Sequence, residues 1–299
     1  MSSRFASDSG LTRRMLVTMF LLGLLYVVFV GVLIALGAQA VTVLLIAVVV
    51  LLVQYFLSDR IALFAMGGRE VSPQQAPELH GMIDRLCAMA DMPKPRVAIA
   101  DSDVPNAFAT GRNQKKSVVC VTTGILRRLE PQELEGVLAH ELSHVAHRDV
   151  AVMTIASFLG ILAGLMTRVA LYSGLGSRRG NGQGGLPIGL IIMLVSVVVY
   201  AVSFLLTRAL SRYRELAADR AGALLTQRPS AMASALVKIS GDMARIPTRD
   251  LREAEPFNAF YFAPALAPGA TMAALFSTHP PLDRRLDQLS KISAQLGRG

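Results

Sequence analysis

Four long apolar stretches of this chain, residues 15–36, 41–57, 150–167 and 186–207, hold no charged side chain, and more polar segments separate and follow them. At 1.5 Å per residue the first stretch is about 33 Å long, enough to cross a hydrocarbon core as a helix. Only Gly37-Ala38-Gln39-Ala40 separates it from the second. The pattern therefore predicts two hydrophobic hairpins, 15–57 and 150–207, each of two transmembrane helices. A cleaved signal peptide is disfavoured, because its apolar core is usually shorter and no second run follows it so closely. Arg168 and Arg208 stand directly after the third and fourth runs as interfacial anchors.

The remaining segments are a short tail (1–14), a polar region (58–149) and a second polar region (208–299). Residues 58–149 hold 11 basic and 12 acidic side chains, a near-neutral mixture expected of a water-exposed domain. Within it, a 3.6-residue period predicts helices beginning at Pro77 and Pro131. β-Rich runs predict strands at 96–100, 106–110 and 117–122. The tail carries Arg4, Arg13 and Arg14 and the first hairpin loop carries no charge, so the excess of basic residues puts the amino terminus in the cytoplasm. Two hairpins return both polar regions to that side. The loop of the second hairpin opposes this order, since it holds Arg168, Arg178 and Arg179 with no acid within a glycine-rich linker. That hairpin either breaks the rule or dips without crossing.

Composition agrees with a membrane protein, at 53% hydrophobic and only 17% charged residues. The net charge of +9 does not signal a nucleic-acid partner, because the basic residues are dispersed and tryptophan is absent, leaving no stacking platform. Cys87 and Cys120 have no CxxC spacing and read as small apolar residues in a reducing compartment.

The chemistry concentrates at His140-Glu141-Leu142-Ser143-His144, an HExxH motif. On a helix its histidines share one face and suit one tetrahedral zinc, with the glutamate beside them as general base. A catalytic zinc needs a third protein ligand and one open position. Glu215 is the best candidate for that ligand, and Asp219, one turn further on, could steady a ligand histidine. Read alone, that segment fits a solvated charged face better than a ligand site, because Arg212, Arg214 and Arg220 surround it. His80 reads as an ordinary core or surface histidine, and His279, before Pro280 and Pro281, as a capping or packing residue.

Four segments taken together, NAFATG at 106–111, the motif region 135–149, RELAAD at 214–219 and STHPPLDRR at 277–285, resemble the HtpX-like membrane metalloproteases, relatives of the prenyl-protein endopeptidases. The resemblance covers nearly the whole chain. It implies one zinc ion held by His140, His144 and Glu215, Glu141 as general base, and Asp219 as orienting partner. It also implies that His279 and Arg285 steady the developing oxyanion, and that Asn106, Ala107, Phe108, Ala109 and Thr110 form an edge strand along which an extended substrate adds. His147 stands where many relatives have asparagine and could act as a decoy ligand, although at i+3 from His144 it should lie off the metal-facing direction.

The fold expected is mainly helical: a zincin-like α+β catalytic domain, built from residues 58–149 and 208–299, with four transmembrane helices in two hairpins. The function expected is a zinc endopeptidase of the inner (plasma) membrane, multi-pass, with its catalytic domain in the cytoplasm. Its partners are then the bilayer and polypeptide substrates, above all misfolded membrane proteins in quality control. The alternatives are a narrow-specificity processing protease and a zinc-stabilised scaffold whose site is closed by a fourth ligand such as His147. A transporter is disfavoured by the lack of ionisable residues within the four runs.

Overall fold

The computed structural model describes residues 9–35, 40–149, 152–153, 162–163, 188–243 and 280–297. The third apolar run lies almost entirely outside them, as do the loop of the second hairpin and His279. The chain divides into two compact units: 1–11, 57–151 and 211–299 in one, 12–56 and 152–210 in the other.

The described residues of the second unit are helical. Among the described residues, Ser9–Ala35 and Leu190–Thr226 are long and apolar enough to cross a bilayer. They belong to helix α1 (Ser9–Ala35) and helix α6 (Ile188–Thr226), and α2 (Ala40–Ala65) carries the second apolar run. Leu22, Phe29 and Leu33 of α1 pack with Leu162, Ala163 and Val199, whereas Leu16, Phe20, Leu24 and Val27 are exposed, as lipid-facing side chains are. Arg208 lies over the Phe204 ring, its guanidinium carbon 4.5 Å from the centroid, which suits an interfacial anchor.

The first unit holds a four-stranded sheet with helices on both faces. Its strands are β1 (Gly68–Glu70), β2 (Arg96–Ala100), β3 (Ala107–Gly111) and β4 (Ser117–Thr122), in the order β1-β2-β4-β3. β4 runs parallel to β2 and antiparallel to β3, so β3 is an edge. Two strands match the sequence expectation to the residue and β3 starts one residue later. β1 was not expected.

Period-two alternation sorts the side chains of the sheet between two cores. Val97, Ala107, Val119 and Val121 face α3 (Pro77–Ala90) and α5 (Pro131–Ala146), where Ile83, Leu86, Val137, Leu138 and Leu142 are fully buried. Each such side chain contributes about 1.5–3 kcal/mol. Ala98, Ala100, Phe108, Val118 and Cys120 face the other way, onto Ala62 and Leu63 at the end of α2. This explains why α2 continues eight residues past its apolar run: Ala62 and Leu63 gain a core, and Asp59 is held by Arg96, whose guanidinium also meets Glu70 on β1.

α5 is the central helix. Pro131 occupies its first turn, and the Glu133 carboxylate accepts from the Glu130 N–H at 2.8 Å, satisfying a donor that the helix start leaves unpaired. From Glu133 to Val145 every side chain is buried. α7 (Pro229–Met243) packs against α5 and α8 (Leu282–Leu296) packs on α7; α4 is the short turn Thr123–Arg128. Glu133 also accepts from Ser234 and Lys238 of α7, at 2.6 and 2.8 Å.

Candidate metal centre

His140 and His144 lie four residues apart on α5, so their rings stack on one face, perpendicular to each other. Their Nε2 atoms are 3.2 Å apart. Glu215, on the polar continuation of α6, offers both carboxylate oxygens to the same gap. Oε2 is 3.6 Å from Nε2 of His140 and Oε1 is 3.4 Å from Nε2 of His144. One ligand atom from each residue lies within 4.8 Å of the others, and all three residues are buried.

The opposite side of each ring fixes its tautomer. Asp219 Oδ1 accepts from Nδ1 of His140, and Asp149 Oδ2 from Nδ1 of His144, both at 2.9 Å. An ionised carboxylate cannot donate, so each Nδ1 carries the proton and each Nε2 of a neutral ring turns a lone pair into the gap. Lone pairs converging from two nitrogens and a carboxylate repel one another unless a cation lies between them. Two nitrogens bound at 2.0–2.1 Å to one tetrahedral zinc are separated by about 3.4 Å, close to the spacing found here. The donor set therefore fits such an ion.

Without a cation in the gap, the same carboxylates favour protonated imidazoles. Burial pulls His144 down, but hydrogen bonding to Asp149 and Glu215 overrides it and raises the group to about 9. For His140 burial again opposes, and hydrogen bonds to Asp219 and Glu215 raise it. Burial would raise Asp219, yet the charge of Arg285 holds it below the usual carboxylate range. The Arg285 fork explains this: Nε donates to Oδ2 at 2.7 Å and Nη2 to Oδ1 at 2.6 Å. Asp149 is likewise lowered, against the effect of burial, chiefly by Arg214.

Glu141 is about 100° further round α5 and stands outside the ligand group. Its Oε2 accepts from the Ala109 N–H at 2.9 Å. In the β3–β4 ladder Asn106 O accepts from Thr122 N, so the main-chain groups of the alternate residues Ala107 and Ala109 point to the free edge. Burial raises the Glu141 carboxyl, opposed by the two histidines.

Half of the residues expected at the site thus meet in one place: His140, Glu141, His144, Glu215, Asp219 and Ala109. Asn106, Phe108 and Thr110 are buried within the sheet. Arg285, expected beside the reacting carbonyl, is 2% exposed and holds Asp219 behind His140, because a buried carboxylate draws the cation. His147 terminates α5 and is not in the ligand group. His80 is a core residue whose Nε2 meets Val71 O at 3.0 Å. Three contributors were not foreseen. Asp149 and Arg214 flank His144, and Gly222 lets α6 approach α5 so closely that a Cβ there would meet the His140 main-chain nitrogen at 2.9 Å.

Residues 73–293 match the family model described as peptidase family M48. The chain belongs to peptidase family M48. Curated relatives extend the match to the whole chain. Protease HtpX homolog 1 of Streptomyces coelicolor is 64% identical over 99% of this chain and 97% of its own length. Protease HtpX homolog of Moorella thermoacetica is 51% identical over 99% of both. Among solved structures, Ste24p of S. mikatae is similar in fold, with a TM-score of 0.56 and 16% identity. The match covers 89% of this chain and 62% of that one, so this M48 chain spans less than two thirds of Ste24p. Family membership makes it a membrane-associated metalloprotease, and His140, His144 and Glu215 form its buried candidate metal group.

Proposed function

We propose that this chain is a zinc-dependent endopeptidase working at the cytoplasmic surface of the inner membrane on misfolded membrane proteins, anchored by four transmembrane helices in two hairpins. The observation that carries the catalytic assignment is the division of labour on α5. His140 and His144 turn their Nε2 atoms toward Glu215, while Glu141 is outside that group and hydrogen-bonded to the edge strand.

A zinc ion held by His140, His144 and Glu215 would supply Lewis acidity, making water nucleophilic near neutral pH and polarising the peptide carbonyl. Glu141 takes the proton from the attacking water and delivers it to the leaving nitrogen as the C–N bond breaks. Its carboxylate is fixed for this by the Ala109 N–H. The outward main chain of Ala107 and the Ala109 carbonyl offer a substrate segment an edge to add to, which brings an extended chain past Glu141. His279 is assigned to the carbonyl oxygen. Arg285 acts through Asp219, keeping it ionised and aligned on Nδ1 of His140.

Catalysis is favoured over a closed structural site by the number of ligands. Among the described residues the group has three members, where a structural zinc usually has four. A cytoplasmic catalytic unit is supported by the arginines of the amino-terminal tail, and a role on membrane proteins by the apolar helices. Glu141→Gln keeps the volume and removes the base, so the purified variant should retain the metal while peptide hydrolysis falls by roughly 100-fold or more. Glu215→Gln should lose metal and activity together. An active Glu141→Gln enzyme would overturn the assignment.

A further inference from the structure

Each metal-binding histidine has its own acid and its own arginine. On one side His140 meets Asp219, which Arg285 grips by two hydrogen bonds. On the other His144 meets Asp149, and Arg214 forms an ion pair with it, placing Nε 3.2 Å from the same Asp149 oxygen. Asp149 is fully buried and Arg214 nearly so. We propose that Asp149, with Arg214, is the positioning pair of His144, and that Arg214 keeps Asp149 on the imidazole and off the metal.

The local backbone supports this. α5 ends at Ala146, His147 caps it, and Arg148 takes a left-handed conformation with φ of 57°. A non-glycine residue there costs about 1–2 kcal/mol, and such strain persists only where the surroundings impose it. This turn folds the chain back so that Asp149, five residues after His144, reaches the rear of its ring. Arg214 comes from the residue before Glu215, so one step along α6 supplies both a ligand and the group that restrains the neighbouring acid. Without a cation beside it, Asp149 would be a second buried carboxylate one imidazole away from the metal. Bound there it would fill the position that a water must occupy.

The inference rests on His140, His144 and Glu215 being the ligands, and the test separates the two. The full chain in detergent is prepared as wild type, His144→Ala, Asp149→Asn, Asp149→Ala and Arg214→Met. Zinc affinity is measured by competition with a chromophoric chelator, coordination by the visible absorption of the cobalt(II)-loaded protein, and folding by far-ultraviolet circular dichroism. Asp149→Ala should bind zinc about 10–100-fold more weakly, the usual cost of losing a group that orients a ligand. Asp149→Asn retains an acceptor for Nδ1–H and should recover most of that loss. Arg214→Met should bind cobalt with shifted visible bands, because a carboxylate takes the place of the water in the coordination shell. Equal zinc affinity in wild type and His144→Ala would sink the ligand assignment itself. Loss of zinc in His144→Ala with wild-type affinity in a folded Asp149→Ala or Asp149→Asn would overturn only the role of Asp149. An unchanged cobalt spectrum in Arg214→Met would remove Arg214 from it.

Discussion

Replacing Gly222 by alanine should cost the metal more than it costs the fold. Glu215 and Asp219 precede Gly222 by seven and three residues, so all three lie on the face of α6 that meets α5. A Cβ at Gly222 would stand 2.9 Å from His140 N, 3.2 Å from the terminal methyl of Met232 and 3.3 Å from Ala139 C. The Met232 methyl can swing away, but the α5 main chain cannot. Restoring an ordinary contact of at least about 3.5 Å requires α6 to retreat by about 0.6 Å. Ligand distances at a metal tolerate only about 0.2 Å, so Glu215 leaves its coordinating position. Overpacking costs about 1–3 kcal/mol, offset by about 1 kcal/mol from better helix propensity. The folded protein therefore survives while zinc affinity falls at least about tenfold. Chelator competition gives the affinity, and thermal unfolding of the metal-free protein gives the stability. Gly241, whose Cβ would meet nothing within 4 Å, is the control: Gly241→Ala should leave affinity unchanged. Wild-type zinc affinity in Gly222→Ala would refute the argument that close packing of α6 on α5 sets the third ligand.

Arg285→Met leaves the Asp219 carboxylate buried without its cation and should destabilise the metal-free protein by about 3–5 kcal/mol, seen as a lower thermal midpoint; an unchanged midpoint would refute the pairing. Burial raises the thiols of Cys87 to about 11 and Cys120 to about 12, so alkylation of the native protein at pH 8 should modify neither, whereas denatured protein should react at both. Reporter fusions after residue 58 and at the carboxyl terminus should both report the cytoplasm; opposite sides would refute the two-hairpin topology. His279→Ala should lower turnover while zinc content stays near one per chain, and parallel loss of both would make it a ligand or structural residue.

Local features of the site were legible because they are written in short-range periodicity. HExxH sits on α5 as the helical pattern and Pro131 required, and β2 and β4 follow from β-branched runs. Features made by distant residues were not. The Arg285–Asp219 pair spans 66 positions, and no period links them. β1 is three residues, Gly-Arg-Glu, too short and polar to show alternation, and exists because β2 offers it an edge. Which strand would lie at the open edge was supplied by family resemblance, since strand order is decided by pairing and not by composition. Asp149 follows the end of a helix, and only the left-handed turn at Arg148 returns it to His144. By composition the fourth apolar run ends at residue 207, where arginine follows it. The helix instead continues to Thr226, because polar residues beyond Arg208 gain buried partners on α5.

The buried acids and bases around the two histidines also have a charge balance. Glu141, Asp149, Glu215 and Asp219 contribute four negative charges when ionised, and Arg214 and Arg285 return two positive ones. Two negative charges remain uncompensated among buried side chains, where an unbalanced charge costs several kcal/mol. Two protons on the imidazoles would neutralise them, which is the direction in which both histidines are pushed. One divalent cation would neutralise them equally well. The valence of the ion that this pocket can hold is thus matched not by its three ligands alone but by residues that never touch it, and a single substitution of Arg214 or Arg285 by a neutral side chain would leave the pocket one charge short even with its metal bound.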